Sequence, residues 1–156
     1  MKILPFIELQ SIELLSKINS HCSKENLVNN NQLIDSGAYN TRKSVKKFVT
    51  DNDVKQIALT HYHEDHAGNA GFLKEHLNVP VYGHQLTIEN LKTNVRLKPY
   101  EYYLFGRLEK AEITPLPRII ETNKYKFTPI HTPGHSQDHV IYHEKDEGWV
   151  FLEIYF

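Results

Sequence analysis

The 156-residue sequence predicts one α/β domain spanning 1–156, and three observations carry that reading. Short apolar runs alternate with helix-spaced apolar patterns between Leu33 and Lys92, as in a layer of strands covered by helices. Strand-like segments then follow one another from Lys124 to Tyr155. Seven of the ten histidines fall in two groups beside such strands: His61, His63 and His66, then His131, His135, His139 and His143. Neutral imidazole nitrogen is a borderline-soft donor, so clustered histidines point to a transition metal, zinc first.

Taken in order, residues 1–17 mix strand-like and helical signals: Pro5 favours an extended start, whereas Leu9, Ile12 and Leu15 fall at helix spacing. A polar stretch leads to Leu33-Ile34, a short buried strand ending in the turn Asp35-Ser36-Gly37. Val45, Phe48 and Val49 share one face of residues 42–50 with lysines opposite, predicting a helix capped by Asn40 or Thr41. Residues 55–60 and 79–83 read as buried strands, and residues 69–77 and 87–92 as helices. Residues 94–118 have no clean period and read as a loop rich in aromatics. Within it, Tyr100 to Phe105 and Arg107 are candidates for a substrate-facing lid, with exposed packing filler as the alternative. Strands are predicted over 124–130, 140–143 and 149–155, the last two joined by a turn at Asp146-Glu147-Gly148.

Composition narrows the function. The 18 basic and 19 acidic side chains leave a net charge of −1, and the basic run Arg42-Lys43 to Lys46-Lys47 is short, so no nucleic-acid partner is expected. The first apolar run is broken by Glu8 and is too short for a leader or a span, so a soluble, cytoplasmic protein without a membrane partner is expected. The single cysteine, Cys22, excludes an intramolecular disulfide.

The chemistry concentrates in Thr60-His61-Tyr62-His63-Glu64-Asp65-His66-Ala67-Gly68-Asn69, which follows a strand and opens a helix. Alternate residues of an extended chain project to one side, so His61 and His63 can grip one ion. Asp65 and His66 lie in the turn beyond and can face a second. A solvated turn capped by Asp65 would use the carboxylate but has no need of three histidines.

This segment resembles the HxHxDH motif of the metallo-β-lactamase fold superfamily. Leu33-Ile34-Asp35-Ser36-Gly37 resembles the strand end that precedes that motif, and Ile18-Asn19 the strand upstream. His131-Thr132-Pro133-Gly134-His135-Ser136 resembles the superfamily's HTPGHT segment. The resemblance implies an αββα sandwich. It also implies that His135 joins His61 and His63 at one metal and that Asp35 supports the site from behind. His131, His139 and His143 are read as structural. The match departs at the strand after HTPGH: where the superfamily has Gly-Asp, with the aspartate bridging two metals, this sequence has Leu152-Glu153. Glu153 is thus the candidate bridge, and Leu152 adds bulk where the backbone should approach closely. With the last three residues following directly, the C-terminal half of the sandwich is expected to be incomplete. Self-association is expected through an uncovered sheet around Trp149, Phe151, Tyr155 and Phe156.

The implied activity is a metal-dependent hydrolase holding one or two zinc ions through His61, His63, Asp65, His66, His135 and Glu153. Bound zinc lowers the pKa of water from about 15.7 toward roughly 7, and the resulting hydroxide would attack an ester, thioester, lactone or amide of a small-molecule substrate. Asp65 is the expected catalytic carboxylate, orienting that nucleophile. Two alternatives stand beside this: a metal-binding but catalytically impaired fragment, and an iron-dependent relative that handles oxygen or sulfur.

Overall fold

A computed structural model describes residues 2–5, 31–93 and 95–152. Two sheets form its frame. In the first, β2 (Gln32–Ile34), β3 (Gln56–Ala58), β4 (Val81–Gly83) and β5 (Thr114–Pro115) lie parallel in that order. The register sets Leu33 beside Ile57 and Ile57 beside Val81. Parallel pairing requires crossovers, and helices supply the first ones. These are α1 (Arg42–Asp51) before β3, then α2 (Glu64–Ala67) and α3 (Ala70–Leu77) before β4. α4 (Gln85–Leu91) follows β4 directly.

α1 forms where the pattern requires it and buries Val45 and Val49. Its start differs from the expected cap: Thr41 occupies the N-cap position, but its hydroxyl donates backward to the Ala38 carbonyl at 2.7 Å. Val45, Ile57, Leu59, Leu73, Val81 and Leu91 are almost wholly buried together, so one core lies between the helices and the first sheet. A Cβ at Gly68 would come within 2.5 Å of the Glu64 carbonyl oxygen and 2.6 Å of the Tyr39 amide nitrogen. Only glycine lets the turn after α2 pack this closely on the backbone around residue 39.

The second sheet has the order β1-β9-β8-β7-β6. Its strands are β1 (Lys2–Pro5), β6 (Ile120–Glu121), β7 (Lys126–His131), β8 (Val140–Glu144) and β9 (Trp149–Leu152). β7 and β8 pair antiparallel with Phe127 opposite Glu144 and His131 opposite Val140. The β8–β9 turn is closed by the buried Glu144 carboxylate, which accepts the Glu147 N–H at 2.6 Å, and by Gly148 at φ +70°. Phe127, Tyr142, Trp149 and Phe151 face Ile34 and Ala58 of the first sheet, so the second core lies between the sheets. Helices, sheet and sheet thus stack as layers of an α/β sandwich.

Several expectations are corrected. Residues 94–118 are not one loop: α5 (Pro99–Phe105) starts with proline in its first turn, and the Lys98 N–H donates to Glu101 Oε2 at 2.6 Å. This one-way cap by Glu101 and a preset proline φ outweigh the absent apolar period. The open N-terminal segment begins with β1, which pairs in parallel with β9. That pairing places β9 between β1 and β8, with β1 as the outer strand. Trp149 and Phe151 are 9% and 4% exposed, so they belong to the inter-sheet core and not to an uncovered face. Tyr155, Phe156, Cys22, Ile18 and Asn19 lie outside the described residues, as does Glu153.

Candidate metal centre

The residues after β3 meet the first residues of β8 where the two sheets touch. The Val140 N–H donates to the Thr60 carbonyl at 2.8 Å, and the buried Tyr142 hydroxyl donates to the Leu59 carbonyl at 2.5 Å. These contacts bring the two histidine segments face to face. His135 Nε2 lies 3.2 Å from His61 Nε2 and 3.1 Å from His63 Nδ1. The three ligand atoms all fall within 4.8 Å of one another, the one such cluster found among the described residues. Three nitrogens about 2.0–2.1 Å from a tetrahedral ion would stand roughly 3.3 Å apart, so the 3.2 and 3.1 Å spacings suit a common ion.

Hydrogen bonds behind the triad set which ring nitrogens point into it. Asp35, at φ +61° and 1% exposed, accepts from the Thr60 N–H through Oδ1 at 2.7 Å. Through Oδ2 it accepts from the Thr60 hydroxyl at 2.7 Å and from His66 Nδ1 at 2.8 Å. A carboxylate only accepts, so the Thr60 proton points to Asp35 and the Thr60 oxygen is left to accept His61 Nδ1–H, 3.0 Å away. His61 Nε2 then presents its lone pair to the triad. By the same logic His66 Nδ1 carries a proton, and its Nε2 lone pair faces Asp65 Oδ2 at 3.4 Å. Two acceptors held this close call for a cation or a proton between them.

Burial, with His66 and the neighbouring rings of His63 and His135 adding to it, holds the His61 imidazole well below the usual histidine range. Burial and His135 also lower His63. Both rings are therefore kept in the neutral form that binds metal. Burial pushes Asp65 upward, but its contact with His66 outweighs this and holds the carboxyl below the usual range.

The structure thus brings His61, His63 and His135 together and places Asp65 and His66 side by side next to them, the His61 and His66 ring centroids being 4.2 Å apart. Asp35 stands behind both groups. His131 lies outside the triad, its Nε2 2.8 Å from the Gln137 carbonyl and its ring stacked at 4.2 Å on His84. His139 is buried with Nδ1 2.9 Å from the Thr132 hydroxyl. Its ring centroid is 5.7 Å from that of His61.

Two residues were missed by the reading of the sequence. Thr60 is the relay between Asp35 and His61. Asp138, wholly buried, accepts from the Tyr62 N–H at 2.9 Å, the Thr87 hydroxyl at 2.7 Å and the Ser136 hydroxyl. The one signal for Asp138 was the Ser-x-Asp spacing directly after His135.

A cleft of about 520 Å³ opens beside His63, Asp65 and His135. α5 forms one wall through Tyr100, Leu104 and Phe105, with Tyr62, Arg96 and Lys98 alongside. Of the lid candidates, Tyr103 points to solvent at 86% exposure. Arg107 lies elsewhere, donating to the Tyr39 hydroxyl at 2.5 Å.

Sheets, helices and a histidine triad at the sheet ends define a metallo-hydrolase fold, and comparison with known proteins agrees. The profile of the Metallo-beta-lactamase superfamily matches residues 29–152, so the chain belongs to that superfamily. A hydroxyacylglutathione hydrolase of Marinomonas sp. (strain MWYL1) is 33% identical over 96 residues, which are 62% of this chain and 30% of that protein. Hydroxyacylglutathione hydrolase GloC of Haemophilus influenzae is 30% identical over 125 residues, covering 74% of this chain and 57% of that one. The crystal structure of BLEG-1 B3 metallo-beta-lactamase superposes with a TM-score of 0.58 at 23% identity, over 77% of this chain and 59% of that chain. A Cronobacter sakazakii metallo-beta-lactamase gives 0.59 at 19% identity, over 76% and 51% of the two chains. These likenesses establish the fold, and the chain spans 57% or less of the two curated relatives' lengths. No helix among the described residues is long and apolar enough to cross a membrane.

Proposed function

We propose that the chain is a zinc-dependent hydrolase of thioesters, with esters, lactones and amides as the wider class. The observation that carries this reading is the convergence of His61, His63 and His135 beside an open cleft. The names of the two relatives add that the matched segment occurs in proteins acting on a hydroxyacyl thioester. When bound, a zinc ion would supply Lewis acidity and a water of lowered pKa, near 7. The protein's part is to hold and orient. His61, His63 and His135 provide three neutral nitrogens. Asp65 and His66 provide a carboxylate and a nitrogen for a second ion, with Glu153 as the candidate bridge. The Asp65 carboxylate, held ionised by its contact with His66, would take the nucleophile's proton and aim it at the acyl carbon. Tyr100, Leu104 and Phe105 would shelter the acyl group from water. The remaining proposals are a small-molecule partner and a cytoplasmic location.

Metal analysis of the purified chain, followed by hydrolysis assays with hydroxyacyl thioesters, simple esters and lactones, tests the reading. Activity should rise with added Zn²⁺, His63→Ala should abolish the tight site, and Asp65→Asn should depress turnover while that site keeps its ion. Tight binding without turnover on any of these substrates, with zinc or with iron, would replace this reading by that of an impaired metal-binding segment.

A further inference from the structure

Asp138 has a place in the structure that packing alone does not account for. A wholly buried carboxylate is costly unless its oxygens are satisfied, and here all its described partners are neutral donors. Those donors come from three separate parts of the chain. The Tyr62 N–H belongs to the residue between ligands His61 and His63. The Ser136 hydroxyl belongs to the residue after His135. The Thr87 hydroxyl is on α4, which buries Thr87 and also contributes Ile88 and Leu91 to the helix–sheet core. One carboxylate therefore ties both ligand-bearing segments to a rigid helix. The turn that carries it is closed as well: Thr132 N–H donates to the His139 carbonyl at 2.9 Å, and His139 N–H to the Ser136 carbonyl at 3.2 Å.

We propose that Asp138 is a positioning residue for the metal centre, clamping the His61–His63 segment against the His135 segment so that the three ring nitrogens converge before any ion arrives. This rests on the reading of His61, His63 and His135 as metal ligands. Preorganisation of this kind matters because a ligand set left to drift by about 1 Å must be reordered at the expense of binding. Tyr62 transmits the hold to His63 directly, their ring centroids lying 4.9 Å apart.

The geometry separates a clamp from a charge effect. In Asp138→Asn the amide oxygen can accept from Tyr62 N–H and the Thr87 hydroxyl, while the amide N–H₂ donates to Ser136 Oγ, so the clamp survives without the charge. In Asp138→Ala all three bonds are lost. The experiment is Co²⁺ and Zn²⁺ titration of the metal-free full chain, with Leu73→Ala in the helix–sheet core as a control for general destabilisation. Asp138→Ala should weaken binding about 10- to 100-fold and alter the Co²⁺ absorption bands. Asp138→Asn should restore affinity to within about threefold, and Leu73→Ala should leave the bands unchanged. Should Asp138→Ala fail to fold, Thr87→Val and Ser136→Ala each remove one strand of the clamp and should each weaken binding. Wild-type affinity in all three of these deletions, or equal losses in Asp138→Ala and Leu73→Ala, would overturn the proposal. NMR of the metal-free protein reads the clamp separately: His63–His135 ring contacts, centroids 4.8 Å apart, should persist in Asp138→Asn and vanish in Asp138→Ala. If the wild-type chain binds no metal, the proposed function fails, and these ring contacts alone decide the clamp.

Discussion

Replacing Asp35 by asparagine removes one charge and adds one donor, yet its consequences should reach both groups of ligands. Asn tolerates positive φ, so the backbone at φ +61° is kept and the change is confined to the side chain. If the new N–H₂ takes the place of Oδ1, it meets the Thr60 N–H, donor against donor. If it takes the place of Oδ2, it donates to His66 Nδ1 and frees the Thr60 hydroxyl to donate to His61 Nδ1. Both imidazoles then carry their proton on Nε2, the nitrogen that faces the triad in His61 and Asp65 in His66. The first rotamer costs about 1–3 kcal/mol for a buried unsatisfied donor. The second forfeits the tautomer that ligation needs, and a lost supporting bond of this kind weakens metal binding about 10- to 100-fold. Urea unfolding of the metal-free protein reads the first cost, and competition against a chromophoric zinc chelator reads the second. An Asp35→Asn chain with wild-type unfolding midpoint and zinc affinity within about threefold would refute the relay through Thr60.

The titration of the metal-free chain is also constrained. Because burial and His66 hold His61 well below its ordinary value, the unfolded chain takes up a proton near pH 6.5 that the folded chain refuses. Stability is therefore fully present above about pH 6.5 and falls as pH drops below it, by up to about 1.4 kcal/mol per pH unit for this group, whereas a flat profile of urea midpoints from pH 7.5 to 5.5 would contradict it. At the cleft, Phe105→Ala should raise KM for acyl substrates because it removes part of the α5 wall, while Tyr103→Ala, at a solvent-facing position, should leave both kinetic constants unchanged. Equal effects of the two substitutions would show that α5 does not line the substrate path.

Much of the first sheet was legible because its strands and helices carry strong periods: Val45 and Val49 on α1, the apolar run at Ile57 to Leu59, and Val81 beside it. α5 was not, since Tyr102, Tyr103 and Leu104 remain exposed and no apolar stripe marks it; its formation rests on Pro99 and the Lys98–Glu101 cap. The fate of Trp149 and Phe151 depended on packing against Ile34 and Ala58 of the first sheet, a contact between distant parts of the chain that no local pattern encodes. At the site, donors in fixed short spacing, His61-x-His63 and Asp65-His66, could be read directly. Asp138 and Thr60 could not, because a buried polar residue and a surface one look alike until the partner is known.

The long-range contacts at the site form a series. Asp138, Val140 and Tyr142, alternate residues running into β8, bond to Tyr62 N–H, the Thr60 carbonyl and the Leu59 carbonyl in turn. Alternate residues of a strand point the same way, so side chains 138 and 142 both reach toward the first sheet, while Val140 reaches it through its backbone. Tyr142 is the anchor of this series: its ring belongs to the inter-sheet core with Ile34, Phe127 and Phe151, and burial raises its hydroxyl well above the usual tyrosine range. The same seam that joins the two sheets therefore sets the spacing between His61 and His63 on one side and His135 on the other. An ion bound by all three would bridge the seam, adding a cross-link beside the Val140–Thr60 and Tyr142–Leu59 hydrogen bonds. Metal binding should thus stabilise the packing of sheet on sheet, and not merely the loops that carry the ligands.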